Sequence, residues 1–102
     1  MLYSHNVENE KINLFTLFLD KAKQGDAKYA QIVNEVILET HLYVVGKKDL
    51  YNINRDSINI ILLLAQLEKE YFSKLQENTS EYNQEIYNKV FQVITTKQTA
   101  LV

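Results

Sequence analysis

A chain of 102 residues with no proline and only two glycines contains almost nothing that would stop a helix once it has started. Both glycines stand where a helical reading needs a stop. Gly25 is followed by Asp26, a good N-cap, and Gly46 opens the turn-forming stretch KKDLYNIN. This length holds one core and is too short for two, so residues 1–102 are expected to form a single domain.

With about 100° of rotation per residue, the apolar spacing predicts four amphipathic helices. The first, 7–24, places the Lys11 stem, Phe15, Phe18, Leu19 and Ala22 on one face and ends at Gly25. The second, 27–45, is capped by Asp26, lined by Tyr29, Val33, Val36, Ile37, Thr40 and Val44, and closed by Gly46 as a left-handed C-cap. The third, 55–77, starts from Asn54 and shows Ile58, Ile61, Leu64, Ala65, Phe72 and Leu75. ENTSE breaks the pattern, so Asn78, Thr79 or Ser80 caps a fourth helix, 81–97, with Tyr82, Ile86, Val90, Val93 and Ile94 inward. Residues 98–102 are left as a short tail. Four such helices joined by short loops predict an all-α, antiparallel four-helix bundle.

The densest apolar run, Ile60 to Ala65, is six residues long, whereas a helix needs about 20 to cross a bilayer. Asn59 closes it on one side and Gln66, Glu68, Lys69 and Glu70 on the other. Ile60, Leu62, Leu63 and Leu67 widen the face of the third helix almost all the way round, which predicts burial among several neighbours.

Lys and Arg number 11 against 13 Asp and Glu and are scattered, so there is no basic field to hold a nucleic-acid backbone. None of the four helices concentrates the basic and amide side chains that a DNA-recognition helix needs. The N-terminus MLYSHNVENEK lacks the basic start and apolar stretch of a secretory signal, and there is no cysteine. Both features point to the cytoplasm.

Catalytic and cofactor devices are equally scarce. His5 and His41 are the only histidines, and neither follows a Glu by three residues as a di-iron bundle requires. Ser4, Ser57, Ser73 and Ser80 have no glycine elbow, and two isolated glycines do not make a phosphate loop. No metal, cofactor or catalytic residue is therefore assigned. His41 and Glu68 are the only inward candidates for a cryptic acid or base. For His41 the plain reading is a histidine at the core margin bonded to a carbonyl. For Glu68, between Ala65 and Phe72 in the apolar stripe, it is a rim position whose carboxylate reaches a Lys or a Tyr hydroxyl.

Seven tyrosines and four phenylalanines exceed what a small core needs, and surface aromatics favour interfaces. On the fourth helix, Tyr87, Phe91 and Gln98 fall about 100° to 140° from Ile86, off the inner stripe. They either pack against the C-terminal tail or the first helix, or face a partner. Leu17 and Leu42 also point away from their helices' cores, as single leucines often do.

The length, the helix order, the D-x-K-Y opening of the second helix (Asp26, Lys28, Tyr29) and the turn TSEYNQEIYNKV carry a resemblance. Over roughly residues 11–94 the chain resembles the immunity proteins of pediocin-like (class IIa) bacteriocins, particularly the enterocin A immunity group. The resemblance implies a small cytosolic four-helix protein that protects a producing cell from its own toxin. In that family the bacteriocin grips the membrane components of the mannose phosphotransferase permease and opens a pore. The immunity protein binds the toxin-loaded receptor from the cytosolic side, which implies recruitment to the inner face of the membrane.

On this reading the outer side of the fourth helix and the tail form the contact region, with Tyr87, Phe91, Lys97, Gln98 and Thr99 as partner-binding residues. The alternative is a small helical adaptor or regulator that binds another cytosolic protein through the same surface. A neighbouring gene for a short secreted peptide with a double-glycine leader favours immunity; transcription or replication genes favour the regulator.

Overall fold

The computed structural model describes residues 2–77 and 84–101, and within them the side chains of 13–77 and 84–95. The described residues form five α-helices and no strand: α1 Leu2–Lys23, α2 Ala27–Val44, α3 Ile58–Leu67, α4 Lys69–Lys74 and α5 Gln84–Leu101. Two 3-10 turns, Leu50–Asn52 and Arg55–Ser57, lead from α2 into α3. The all-α expectation holds.

The corner between α1 and α2 is built as the glycine and its neighbour dictate. Gly25 takes φ +95°, its amide donates to the Ala22 carbonyl at 3.0 Å, and the Asp26 amide donates back to the Lys21 carbonyl at 3.2 Å. These are the paired bonds of a left-handed helix stop. Asp26 then turns extended, and its carboxylate accepts from the Lys28 amide at 3.1 Å, so one residue ends the first helix and starts the second. Gly46, at φ +79°, closes α2 in the same way, with the Lys47 amide on the Leu42 carbonyl at 2.8 Å. Replacing Asp26 by Ala removes the α2 cap and is expected to cost about 1 kcal/mol of unfolding free energy, read by urea titration.

Asn54 caps the third segment as expected, accepting from the Asp56 amide at 3.1 Å, but the first turn is 3-10 and α3 begins only at Ile58. The expected single helix over 55–77 is also broken. Glu68, at φ −150° and ψ 64°, separates α3 from α4, and Leu75 is extended. The backbone ladder bridges the break, because the Glu68 amide still reaches Leu64 and its carbonyl still accepts from Phe72. The bend places Phe72 wholly inside and its carbonyl against His41 of α2. α1 starts earlier than the expected residue 7, there being no breaker before it. α5 continues to Leu101, so residues 98–101 extend the helix in place of a tail. The expected caps Asn78, Thr79 and Ser80, and Tyr82, lie outside the described residues.

α1 packs on α2, α3 and α5, while α2 also meets α3 and α4. Between them lie Phe15, Leu19, Val33, Ile37, Ile61, Leu64, Phe72, Val90 and Ile94, all buried. The radius of gyration, 13.0 Å, is that of a compact domain of this length. In the apolar run, Ile60, Ile61 and Leu64 are buried, and no helix among the described residues is long and apolar enough to cross a membrane.

Candidate interaction surface

α5 keeps most of the inner stripe its spacing suggested and adds Tyr87 to it. Tyr87, Val90, Val93 and Ile94 are buried, while Ile86 is only half-buried. Val90, Val93 and Ile94 face inward as the spacing suggested, so the buried face is displaced toward Tyr87 by well under the roughly 100° of one residue. This corrects the placement of Tyr87, which is 0% exposed and holds no place on a contact surface. Its hydroxyl donates to Asn34 Oδ1 of α2 at 2.6 Å, and Asn34 is itself buried. A buried phenol needs such a partner, and the bond ties α5 to α2.

Phe91 is half-buried at the edge of the core, and the Lys23 ammonium of α1 stands 4.5 Å from its ring centroid. The ring thus meets the first helix through Lys23 and stays partly exposed. Lys97, Gln98 and Thr99 belong to the last part of α5, and their side chains lie outside the described ones.

The D-x-K-Y stretch has local work to do. Beyond the Asp26 cap, Tyr29 lies against Phe18 of α1 with centroids 5.2 Å apart, and Lys21 Nζ sits 5.2 Å from the Tyr29 ring. These contacts bridge α1 and α2.

The two inward polar candidates sit in different settings. His41 is buried, and its Nδ1 donates to the Phe72 carbonyl at 2.6 Å, as expected of a core-margin histidine. The Phe72 carbonyl also accepts from the Leu75 amide at 3.4 Å, so His41 adds a second, shorter bond at the end of α4. Glu68 is half-buried and sits at the joint between α3 and α4. Nearby, burial pushes the Tyr71 phenol up, and the Glu85 carboxylate adds to the shift. Among the described residues no three His, Cys, Asp or Glu side chains gather as a metal site would need.

The most exposed apolar side chains among the described residues are elsewhere. Tyr51, in the turn after α2, is 97% exposed, and Asp49 Oδ1 fixes that turn by accepting from the Tyr51 amide and the Asn52 side chain. Leu14 and Leu17 are about half exposed on α1. Sequence reasoning marked Leu17 but missed Leu14 and Tyr51. Leu14 precedes Phe18 by four residues, a spacing that puts both on one strip, and this was the available signal.

Leu14 borders a groove of about 320 Å³ between α1, α2 and the start of α3. A larger depression of about 710 Å³ runs along α2 past Ala27, Ala30, Gln31 and Leu38. In comparisons with known proteins, no family model, no curated protein and no solved structure matches the chain.

Proposed function

We propose that this chain is a bacteriocin immunity protein, which protects a cell producing a pediocin-like bacteriocin by binding the toxin-loaded mannose phosphotransferase permease from the cytosolic side. The observation that carries the reading is the corner from α1 to α2. The D-x-K-Y residues behind the resemblance make a capped joint, with Asp26 on the Lys28 amide and Tyr29 on Phe18, which supports the reading. In this reading the helices form an antiparallel four-helix bundle whose third member is kinked, α3 and α4 together standing for one helix.

The contact region is the outer side of α5, from the open edge of Phe91 to Lys97, Gln98 and Thr99. Tyr87 contributes from within, by holding α5 against Asn34. The action is stoichiometric binding and needs no catalytic group.

The test is co-purification. The affinity-tagged chain is produced in bacteriocin-sensitive cells, membranes are solubilised with and without added bacteriocin, and the permease is sought on the resin. Retention of the permease only after bacteriocin treatment is expected. If the permease is missing in both cases while the tagged chain is folded, the immunity reading fails and the adaptor reading replaces it.

A further inference from the structure

The groove between α1, α2 and the start of α3 pairs an apolar floor with an acidic rim. Phe15, Val36 and Ile60 are buried beneath it, and Leu14, Phe18 and Ile32 are partly open along it. Glu35 comes to its lining from α2, and Asp56, Asn54 and Ser57 come from the turn that starts α3. Asn54 Oδ1 accepts from the Asp56 amide, so the turn carrying that carboxylate is pinned. Both carboxylates are exposed, and no Lys, Arg or His is found in the lining among the described residues. The ion pairs among the described residues, Lys47 with Glu77 and Lys48 with Glu39, use neither of them.

This combination selects an occupant. About 320 Å³ lies at the small end of ligand cavities, which suits one or two inserted aliphatic side chains better than a whole small molecule. Helices that dock in grooves insert apolar side chains at i and i+3 or i+4 and leave their polar flanks on the rim. Among the described residues both rim charges are negative, so the flanks that match carry Lys or Arg. A second copy of this chain is a poor match, because its net charge is −2. We propose that the Leu14–Glu35–Asp56 groove docks a cationic amphipathic helix of another polypeptide. The groove is distinct from α5 and the proposal does not depend on the immunity reading.

The test uses the full chain and two fluorescein-labelled synthetic helices of one length, a Leu/Lys peptide and a Leu/Glu peptide, followed by fluorescence anisotropy. The Leu/Lys peptide is expected to bind with a dissociation constant of about 10–100 μM and the Leu/Glu peptide not at all. Joint Glu35→Lys and Asp56→Lys substitution is expected to weaken binding about tenfold, because it turns attraction at the rim into repulsion. Leu14→Gln, at an exposed position that does not endanger the fold, removes apolar surface along the groove and is expected to weaken binding by about threefold. Asp20→Lys with Glu70→Lys makes the same change in net charge outside the groove and is expected to leave binding within about twofold of the original. Circular dichroism establishes that each variant is folded. Equal weakening by the groove and control pairs, no binding at about 1 mM, or dimerisation of the chain through the groove would each overturn the proposal.

Discussion

Replacing Phe72 with alanine is expected to lower the unfolding free energy by about 3–5 kcal/mol, and with it the melting temperature by roughly 15–30 °C. Phe72 is 0% exposed and stands edge-on to Tyr71 with ring centroids 5.3 Å apart. It also belongs to a helix of six residues, Lys69–Lys74, which is too short to hold itself together in water. The ring therefore anchors the whole segment. Without it, the Phe72 carbonyl no longer has a fixed position opposite His41 Nδ1, and the bond between α2 and α4 weakens as well. A fall of that size is a large share of the roughly 5–15 kcal/mol typical of a whole domain. Leu17→Ala on the exposed face of α1 serves as the contrast, with a change expected within about 0.5 kcal/mol. A Phe72→Ala cost near that of Leu17→Ala would show that α4 is not seated as described.

The second large effect is at Tyr87. Tyr87→Ala is expected to cost about 3–5 kcal/mol, because it empties a fully buried ring site between α5 and α2. Tyr87→Phe keeps the ring and removes only the hydroxyl that donates to Asn34 Oδ1, and is expected to cost about 1–3 kcal/mol. A double-mutant cycle between Tyr87→Phe and Asn34→Ala isolates the bond, with an expected coupling of about 1 kcal/mol or more. Were Tyr87 a surface contact, Tyr87→Phe would leave thermal stability unchanged and alter only partner binding. The two descriptions of this residue therefore part in one melting experiment.

What could be read along the chain was whatever depends on neighbours in sequence. Gly25, Asp26, Gly46 and Asn54 each act through bonds spanning a few residues, and each does what its chemistry dictates. The apolar faces of α1 and α2 were legible for the same reason, since Phe15, Leu19, Val33 and Ile37 recur at the helical period.

The errors came from contacts that are distant in sequence. Leu64, Ala65, Phe72 and Leu75 keep a helical rhythm across Glu68, and there is no glycine or proline to mark the bend. The one local sign was a carboxylate inside an apolar stripe, and its resolution depends on His41, 31 positions away from Phe72. Tyr87 failed in the same manner. A tyrosine suits either the surface or the interior, and the choice rests with Asn34, separated from it by 53 positions. The acidic groove is legible only in three dimensions, because Leu14, Glu35 and Asp56 come from three separate elements.

The central functional claim is tested most directly by survival. A bacteriocin-sensitive strain expressing this chain is challenged with a broad panel of pediocin-like bacteriocins beside an empty-vector control, with the intact, folded protein verified in the cells. The account predicts protection against one or a few members of the panel, and its loss when charge-reversing and bulky substitutions are placed at Lys97, Gln98 and Thr99 on α5. Survival no better than the empty vector against every member, with folded protein present, would contradict it.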